Sequence, residues 1–203
     1  MGHMKNLILA AALSAASTLP ALADDPIPLS DLSAYLNDLR TAEASFTQIT
    51  EDGAISTGTL YLQRPGRMRF EYDGEDLMVM AGGGQVAIFD GRSNTLPEQY
   101  PLSRTPLNLI LARTVDLGQS DMIVAHEADE TSTRVVAQDP DEPDIGTITL
   151  VFTGDPVELR QWVVTDSTGF QTTVILGELS RDGTIPSRYF NIPLELRERG
   201  LVD

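Results

Sequence analysis

The chain has 203 residues, of which 30 are acidic and 14 are lysine or arginine, and its formal net charge at pH 7 is −16. Such a surface repels nucleic acid and anionic lipid headgroups, which excludes the polybasic classes of binding protein. The sequence has no cysteine, and this excludes disulfide bonds, cysteine nucleophiles and lipid modification of an N-terminal cysteine.

The N-terminus has the pattern of a secretory signal peptide. Lys5 precedes an apolar run over residues 7–13, and Ala21 and Ala23 place small side chains where signal peptidase cleaves. The run is too short to be a stable membrane anchor. We therefore predict that residues 1–23 are a signal peptide and that residues 24–203 form one exported domain.

The first predicted element of the mature chain is an amphipathic helix over residues 29–42. Apolar residues recur there at helical spacing, and Ser30 or Asp31 is available as the N-cap. One face of this helix is therefore expected to pack against the rest of the domain. The apolar positions are Leu29, Leu32, Tyr35, Leu36 and Leu39.

Short runs rich in β-branched and aromatic residues follow the helix, and turn residues such as the triple glycine 82–84 separate them. This pattern is typical of an antiparallel meander. The predicted strands lie near residues 44–50, 55–64, 67–73, 76–81, 85–90, 121–127, 132–138, 147–153, 157–165 and 170–178.

The clearest of these strands form a hairpin over residues 58–72. Arg64 ends the first arm beside Pro65 and Gly66, which supply the turn. An arginine fixed in this way can deliver several donors to backbone carbonyls, and the alternative is a solvated arginine at a strand end. The second arm alternates charged residues with the apolar side chains Met68, Phe70 and Tyr72.

A second helix is predicted over residues 106–113, with Thr105 as its cap and Pro106 at its first helical position. Its residues are apolar almost all round, which indicates that it is enclosed. About ten strands, each apolar on one face, thus have two helices to cover them. Two arrangements fit: a strongly curved sheet with helices over an apolar cleft, or a closed barrel or sandwich with a filled core.

The sequence has no clear pattern of a catalytic or metal site. His126 is the one histidine after the signal peptide, and no Gly-x-Ser-x-Gly motif accompanies it. The acidic loop 139–146 does not have calcium-loop spacing. We therefore expect no metal and no cofactor. Adjacent acids are interpreted as surface charge, and they include Asp129 with Glu130 and Glu75 with Asp76.

The hairpin and four further segments resemble, in the same order, the periplasmic outer-membrane lipoprotein carrier family, LolA. This resemblance implies a mainly β (α+β) fold, an incomplete, strongly curved antiparallel β-barrel with an α-helical lid over an apolar cavity. The further segments are residues 41–48 for the family's first strand, 100–111 for its Thr-Pro helix, 159–173 for a late hairpin and 189–193 for the closing strand.

The resemblance also implies a function. Members of this family are not enzymes; they are monomeric periplasmic chaperones that take acylated lipoproteins from an inner-membrane ABC transporter. They shield the acyl chains and deliver the cargo to an outer-membrane receptor. Arg64 falls on the family's arginine that holds the lid closed in the empty state. The receptor shares the fold but has an N-terminal cysteine, which this chain lacks.

Two departures from the family pattern lie near the expected cavity. Met68 stands where an aromatic residue is usual, and residues 81–83 replace the usual Ser-Asp-Gly turn. Methionine is soft enough to line an acyl cavity. We expect the cavity to be lined by Phe46, Leu60, Met68, Phe70, Leu107, Ile110, Leu111 and Trp162.

Two other functions fit the residues. One is a periplasmic domain of the same fold that binds or senses another lipid or hydrophobic ligand. The other is a hydrolase that uses a pair of carboxylates.

The export prediction can be tested directly. Ala21 and Ala23 satisfy the requirement of signal peptidase for small side chains, so cleavage is expected after Ala23. Mass spectrometry of protein from the periplasm should show Asp24 as the first residue. A membrane-bound precursor that keeps residues 1–23 would refute the prediction.

Overall fold

The structure, a computed structural model, describes residues 25–93, 95–118 and 121–203. The predicted signal peptide, residues 1–23, lies outside the described residues. Within them the helices are α1 (Leu29–Asp38), α2 (Leu107–Leu111) and α3 (Ile192–Glu198), and 3-10 turns cover Leu102–Arg104, Pro143–Ile145 and Ser187–Phe190. The strands are β1 (Thr41–Thr50), β2 (Ile55–Gln63), β3 (Arg67–Tyr72), β4 (Leu77–Gly82), β5 (Gln85–Asp90), β6 (Glu98–Pro101), β7 (Ile123–Ala128), β8 (Thr133–Gln138), β9 (Thr147–Thr153), β10 (Glu158–Thr165) and β11 (Gln171–Leu176).

The strands of the described residues form one antiparallel sheet of eleven strands in the order β6-β5-β4-β3-β2-β1-β11-β10-β9-β8-β7. β1 and β11 pair at its centre, where Phe46 lies opposite Leu176. β6 and β7 are the two edges, and the sheet does not close into a barrel. The fold is therefore the incomplete antiparallel barrel that the resemblance implies.

The sheet is strongly curved. Phe70 on β3 and Trp162 on β10 are four strand spacings apart, and in a flat sheet they would be separated by about 19 Å. Their ring centroids are 6.2 Å apart. The inner face thus folds on itself, and its apolar side chains form one core with those of α1 and α2.

Gly58 in the middle of β2 allows two aromatic rings to occupy the centre of this concave face. A Cβ at Gly58 would collide with the carbonyl oxygen of Glu71 and would lie 2.7 Å from the ring of Phe46. Without that atom, the Phe46 ring packs edge to face on Phe70 at 5.1 Å and on Tyr72 at 5.2 Å. Glycine in a strand is thus compensated by an aromatic neighbour.

Both helices of the concave side are shorter than predicted. α1 ends at Asp38 because Thr41 already pairs with Gln63 in the sheet, which overrides the helical spacing of the sequence. Its N-cap is Pro28 and not Ser30 or Asp31. α2 covers five residues, and Thr105 donates its hydroxyl to the carbonyl oxygen of Leu102 instead of capping the helix.

The C-terminal segment is a helix, so the predicted closing strand over residues 189–193 is wrong. Asn191 is the N-cap of α3 and accepts a hydrogen bond from the amide of Leu194 at 3.0 Å, and Pro193 lies in the first turn. These are standard signals of a helix start. Strand β6 is four residues long and exposed throughout; it has no apolar alternation, and the sequence does not predict it.

α3 covers the outer face of the sheet over β4 and β5. Ile192, Leu196 and Leu201 pack on a second apolar cluster there, and its sheet residues are Met78, Met80, Ala87 and Phe89. β4 and β5 are therefore buried on both faces, since their other side chains contribute to the concave core.

Glu195 fixes α3 to the sheet through two arginines. One oxygen of its carboxylate accepts from Arg69 at 3.0 Å and the other from Arg199 at 2.8 Å, and Arg199 also reaches Asp76 at 3.1 Å. Burial alone would raise the pKa of Glu195. The hydrogen bonds from Arg199 and Arg69 outweigh it and hold the pKa below its ordinary value of 4.5.

Acid should therefore loosen α3. A carboxylate with a lowered pKa stabilises the fold fully above its ordinary value, and this contribution is lost as the pH falls through the lowered pKa. Replacing Glu195 by Gln should cost about 1.5–3 kcal/mol near neutral pH and remove most of this part of the acid sensitivity. Urea unfolding measured across pH checks both effects.

Glu198→Gln is the matched control, because Glu198 is exposed in the same helix and forms no ion pair within the described residues. Equal pH dependence in the two variants would contradict the assignment to Glu195.

Candidate functional site

Arg64 lies in the turn between β2 and β3, where the hairpin meets the ends of both concave-side helices. Its own amide donates to the carbonyl oxygen of Arg40 at 2.8 Å. The amide of Gly66 donates to the carbonyl oxygen of Leu111 at 2.9 Å, and Gly66 has a φ of +70°, which glycine adopts without strain. The backbone of the turn is thus attached to the chain at the end of α1 and at the end of α2.

The Arg64 side chain bridges these helix ends. Its Nη1 donates to the carbonyl oxygen of Leu36 in the last turns of α1, and its Nη2 donates to the carbonyl oxygen of Ala112 at 2.5 Å. Carbonyls at helix C-termini have no partner within the helix and carry the negative end of the helix dipole. They are therefore suited to a cation.

No carboxylate compensates the charge of Arg64 within the described residues. The residue is 8% exposed, and its Nε has no hydrogen-bond partner. Burial, with a smaller effect from Arg40, lowers its pKa, although an arginine stays protonated at neutral pH. The closed arrangement thus holds a cation that water would solvate better. Part of the cost of breaking its bonds to the helices is therefore recovered when water reaches the guanidinium.

An apolar cavity lies beneath α1 and α2. We call these two helices the lid. Of the residues predicted to line it, Leu60, Met68, Ile110 and Trp162 do so, together with Arg64. Phe46, Phe70 and Leu111 are buried in the same core but do not line the cavity, and Leu107 is partly buried against that core. The remaining lining residues are Leu36, Leu39, Leu62, Leu159, Leu176 and Leu179.

Most of the lining residues that were not predicted carry a recognisable signal. Leu36 and Leu39 lie on the apolar face of the first predicted helix, and Leu62 lies on the same face of β2 as Leu60. Leu179 follows β11 in irregular chain and has no such signal.

The cavity is much smaller than the predicted cleft. Its volume is about 20 Å³, which is close to the space that one water molecule needs. The sheet is curved and covered by helices, as in the first arrangement considered above, but its concave side is almost filled, because Leu32 and Leu36 of α1 are almost fully buried in it. Leu102, Val115 and Leu117 from the chain around α2 fill more of the space. A long apolar guest can enter only if the lid moves.

The other candidate chemical groups have structural contacts. The Nε2 atom of His126 lies 3.0 Å from the carbonyl oxygen of Ile27. Asp129 accepts hydrogen bonds from its own turn, first from the amide of Thr131, and these lower its pKa to about 2. In the described part of the chain, no group of three or more metal-ligating side chains comes together. No helix among those residues is long and apolar enough to cross a bilayer.

Comparisons with known proteins identify the family of this chain. A sequence model of the family described as "Outer membrane lipoprotein carrier protein LolA" matches residues 37–193. The outer-membrane lipoprotein carrier protein of Pseudomonas aeruginosa strain PAO1 is 24% identical over 192 residues, which are 90% of this chain and 91% of that protein. The protein of that name from Methylococcus capsulatus is 36% identical over 69 residues, 31% of this chain and 33% of that protein.

Solved structures of similar proteins include a LolA superfamily protein from Nitrosomonas europaea. It has a TM-score of 0.44 and 9% identity, and the match covers 81% of this chain and 98% of that one. An uncharacterised conserved protein from Thermus thermophilus has a TM-score of 0.46 and 11% identity, with 79% of this chain and 90% of that one covered.

Replacing Arg64 by Leu should open the lid without cargo. The change removes two hydrogen bonds from a charged group, each worth about 1.5–3 kcal/mol, so the open population should rise about a hundredfold or more. Trp162 is the one tryptophan of the chain, is 3% exposed and lines the cavity. Acrylamide quenching of its fluorescence therefore measures opening.

Arg40→Leu is the control, since Arg40 is an exposed arginine that contacts Arg64 through its backbone. Losing its charge also removes the small repulsion that Arg40 exerts on Arg64, so quenching should stay at or slightly below the wild-type level. Quenching that is unchanged in Arg64→Leu would show that Arg64 does not hold the lid.

Proposed function

Because this chain belongs to the LolA family of outer membrane lipoprotein carrier proteins, we propose that it moves lipoproteins through the periplasm from an inner-membrane ABC transporter to the outer membrane. The observation that carries the proposal is the lid, two helices closed over an apolar space and held by one buried cation. A site of this kind binds apolar chains without covalent chemistry. The cavity lining contains one ionisable group, Arg64, which is neither a nucleophile nor a base.

The energies of opening and binding have the magnitudes that a carrier needs. Opening the lid breaks the two bonds of Arg64, about 1.5–3 kcal/mol each, and part of this cost is offset when water solvates the guanidinium. It also separates buried lid side chains such as Leu36 from the sheet, and the acyl chain of the cargo takes over those apolar contacts. Burying an acyl chain contributes about 0.8 kcal/mol per methylene. A chain of about ten methylenes thus outweighs the closed lid, whereas a short apolar group does not.

The same balance favours delivery. When the acyl chains leave, the guanidinium returns to the carbonyls of Leu36 and Ala112 and the lid closes. Release to an outer-membrane receptor is therefore assisted by the bonds that uptake had broken. In this function the protein works as a monomer and without a cofactor, and its net charge of −16 excludes nucleic acid as a partner.

Uptake and delivery can be assayed separately. Membranes that carry lipoproteins and the transporter should release cargo to the wild-type protein and to Arg64→Leu, because the variant's lid opens more easily. Delivery to receptor-bearing outer membranes should be lost in Arg64→Leu, because closing no longer restores two hydrogen bonds. Arg64→Lys should restore delivery poorly, since lysine lacks the planar fork that reaches both carbonyls.

Arg40→Leu should behave as wild type in both steps. If Arg64→Leu takes up and delivers cargo as well as the wild type, Arg64 has no role in transfer. If the wild type releases no cargo from such membranes, the carrier function itself is wrong for this chain.

A further inference from the structure

Asn37 joins α1 to a segment that lies far away in the sequence. The Nδ2 of Asn37 donates to the carbonyl oxygen of Val115 at 2.8 Å, and the amide of Val115 donates to Oδ1 at 2.9 Å. One side chain thus satisfies both polar groups of one buried backbone residue, since Val115 is 3% exposed. An amide is required for this, because aspartate cannot donate and leucine can do neither.

Ser33, one helical turn earlier, extends the same junction. Its hydroxyl donates to the carbonyl oxygen of Leu29 at 2.7 Å and accepts from the amide of Leu117 at 2.9 Å. Ser33 is 8% exposed and Leu117 is 3% exposed. Asn37 and Ser33 of α1 therefore both bond to the backbone of the chain that follows α2. We call residues 112–117 the post-α2 segment.

The contacts of the lid with the sheet are distributed differently. Apolar side chains pack along its length, and hydrogen bonds hold it at the two ends. At one end Arg64 bonds to α1 and to the post-α2 segment; at the other, Thr133 and His126 bond to Ile27 just before α1. Releasing the Arg64 side chain removes one bond from α1 and one from the post-α2 segment at once, whereas separating α1 from the post-α2 segment breaks three further hydrogen bonds to buried backbone groups.

We propose that α1, α2 and the post-α2 segment open as one rigid body, and that Asn37 is the positioning residue that keeps them together. This inference rests on the carrier function proposed above, in which the lid must open around cargo. It adds that the cargo enters between the whole lid and the sheet, and not between α1 and the post-α2 segment.

Hydrogen exchange in the cargo-free Arg64→Leu protein tests the proposal. If the lid opens as one body, quenching of Trp162 increases while the amides of Val115 and Leu117 keep their wild-type exchange rates, because they remain bonded to Asn37 and Ser33. Adding Asn37→Ala should then speed exchange at Val115 by about fivefold or more, because the lost bond is worth about 1 kcal/mol and the amide becomes accessible to water. Ser30→Ala, on the exposed face of the same helix, should have no such effect. If exchange at both amides accelerates in Arg64→Leu by the same factor as the quenching of Trp162, the proposal is overturned.

A disulfide gives a second, independent measurement, because the chain has no cysteine of its own. Ser33→Cys with Leu117→Cys places one thiol on each side of the junction. In the Arg64→Leu background, oxidation should leave Trp162 as accessible as in the reduced protein. Oxidation that restores the wild-type shielding of Trp162 would mean that α1 and the post-α2 segment must separate, and would overturn the inference.

Neither measurement uses cargo, so a failure of lipoprotein transfer would count against the carrier function and would leave this result standing.

Discussion

The closed state depends on a buried cation that has carbonyl partners and no carboxylate partner. Placing Arg64 between the ends of two helices orients both of them, because each contributes one carbonyl to the same planar guanidinium. An ion pair with an acid in this position would be much harder to break. In the carrier function that we propose, such bonds keep the empty protein closed and are broken when an acyl chain enters.

The sheet is the rigid surface on which the lid closes. Its inner face bends so sharply that rings from β3 and β10 touch, and Gly58 leaves room for the Phe46 ring at the centre of the bend. α3 clamps the outer face of β4 and β5 with apolar contacts and with Glu195. The lid movement that we propose needs a surface that stays fixed. Because β4 and β5 are buried on both faces, they form such a surface.

Much of this could be predicted from the sequence, and the exceptions have physical causes. The alternation of residues 58–72 predicts the β2–β3 hairpin, and Arg64 is noticeable because a rigid turn follows a strand that is mostly apolar. β6 is not predicted because its four residues at the sheet edge are all exposed and have no apolar period. The family resemblance predicts a strand over residues 189–193, whereas Asn191 and Pro193 are the signals of the start of α3. The small cavity could not be predicted, since periodicity tells which side chains face inward and not how completely they fill the space.

The roles of Asn37 and Ser33 could not be predicted either, because polar residues on a helix usually face water and their partners lie about eighty positions further along the chain.

The pairing of β1 with β11 constrains how the protein can mature. Every other pair of neighbouring strands in the described sheet is consecutive in the chain, so β1–β6 and β7–β11 can each fold from local contacts. The central seam joins the first strand to the last, so it can close only after β11 has emerged. Until then the edge of β1 that faces away from β2 is unpaired, and such an edge can pair with another chain. The last strand to emerge therefore completes the inner face, and in the exported carrier that we propose the binding surface is finished only near the end of translocation.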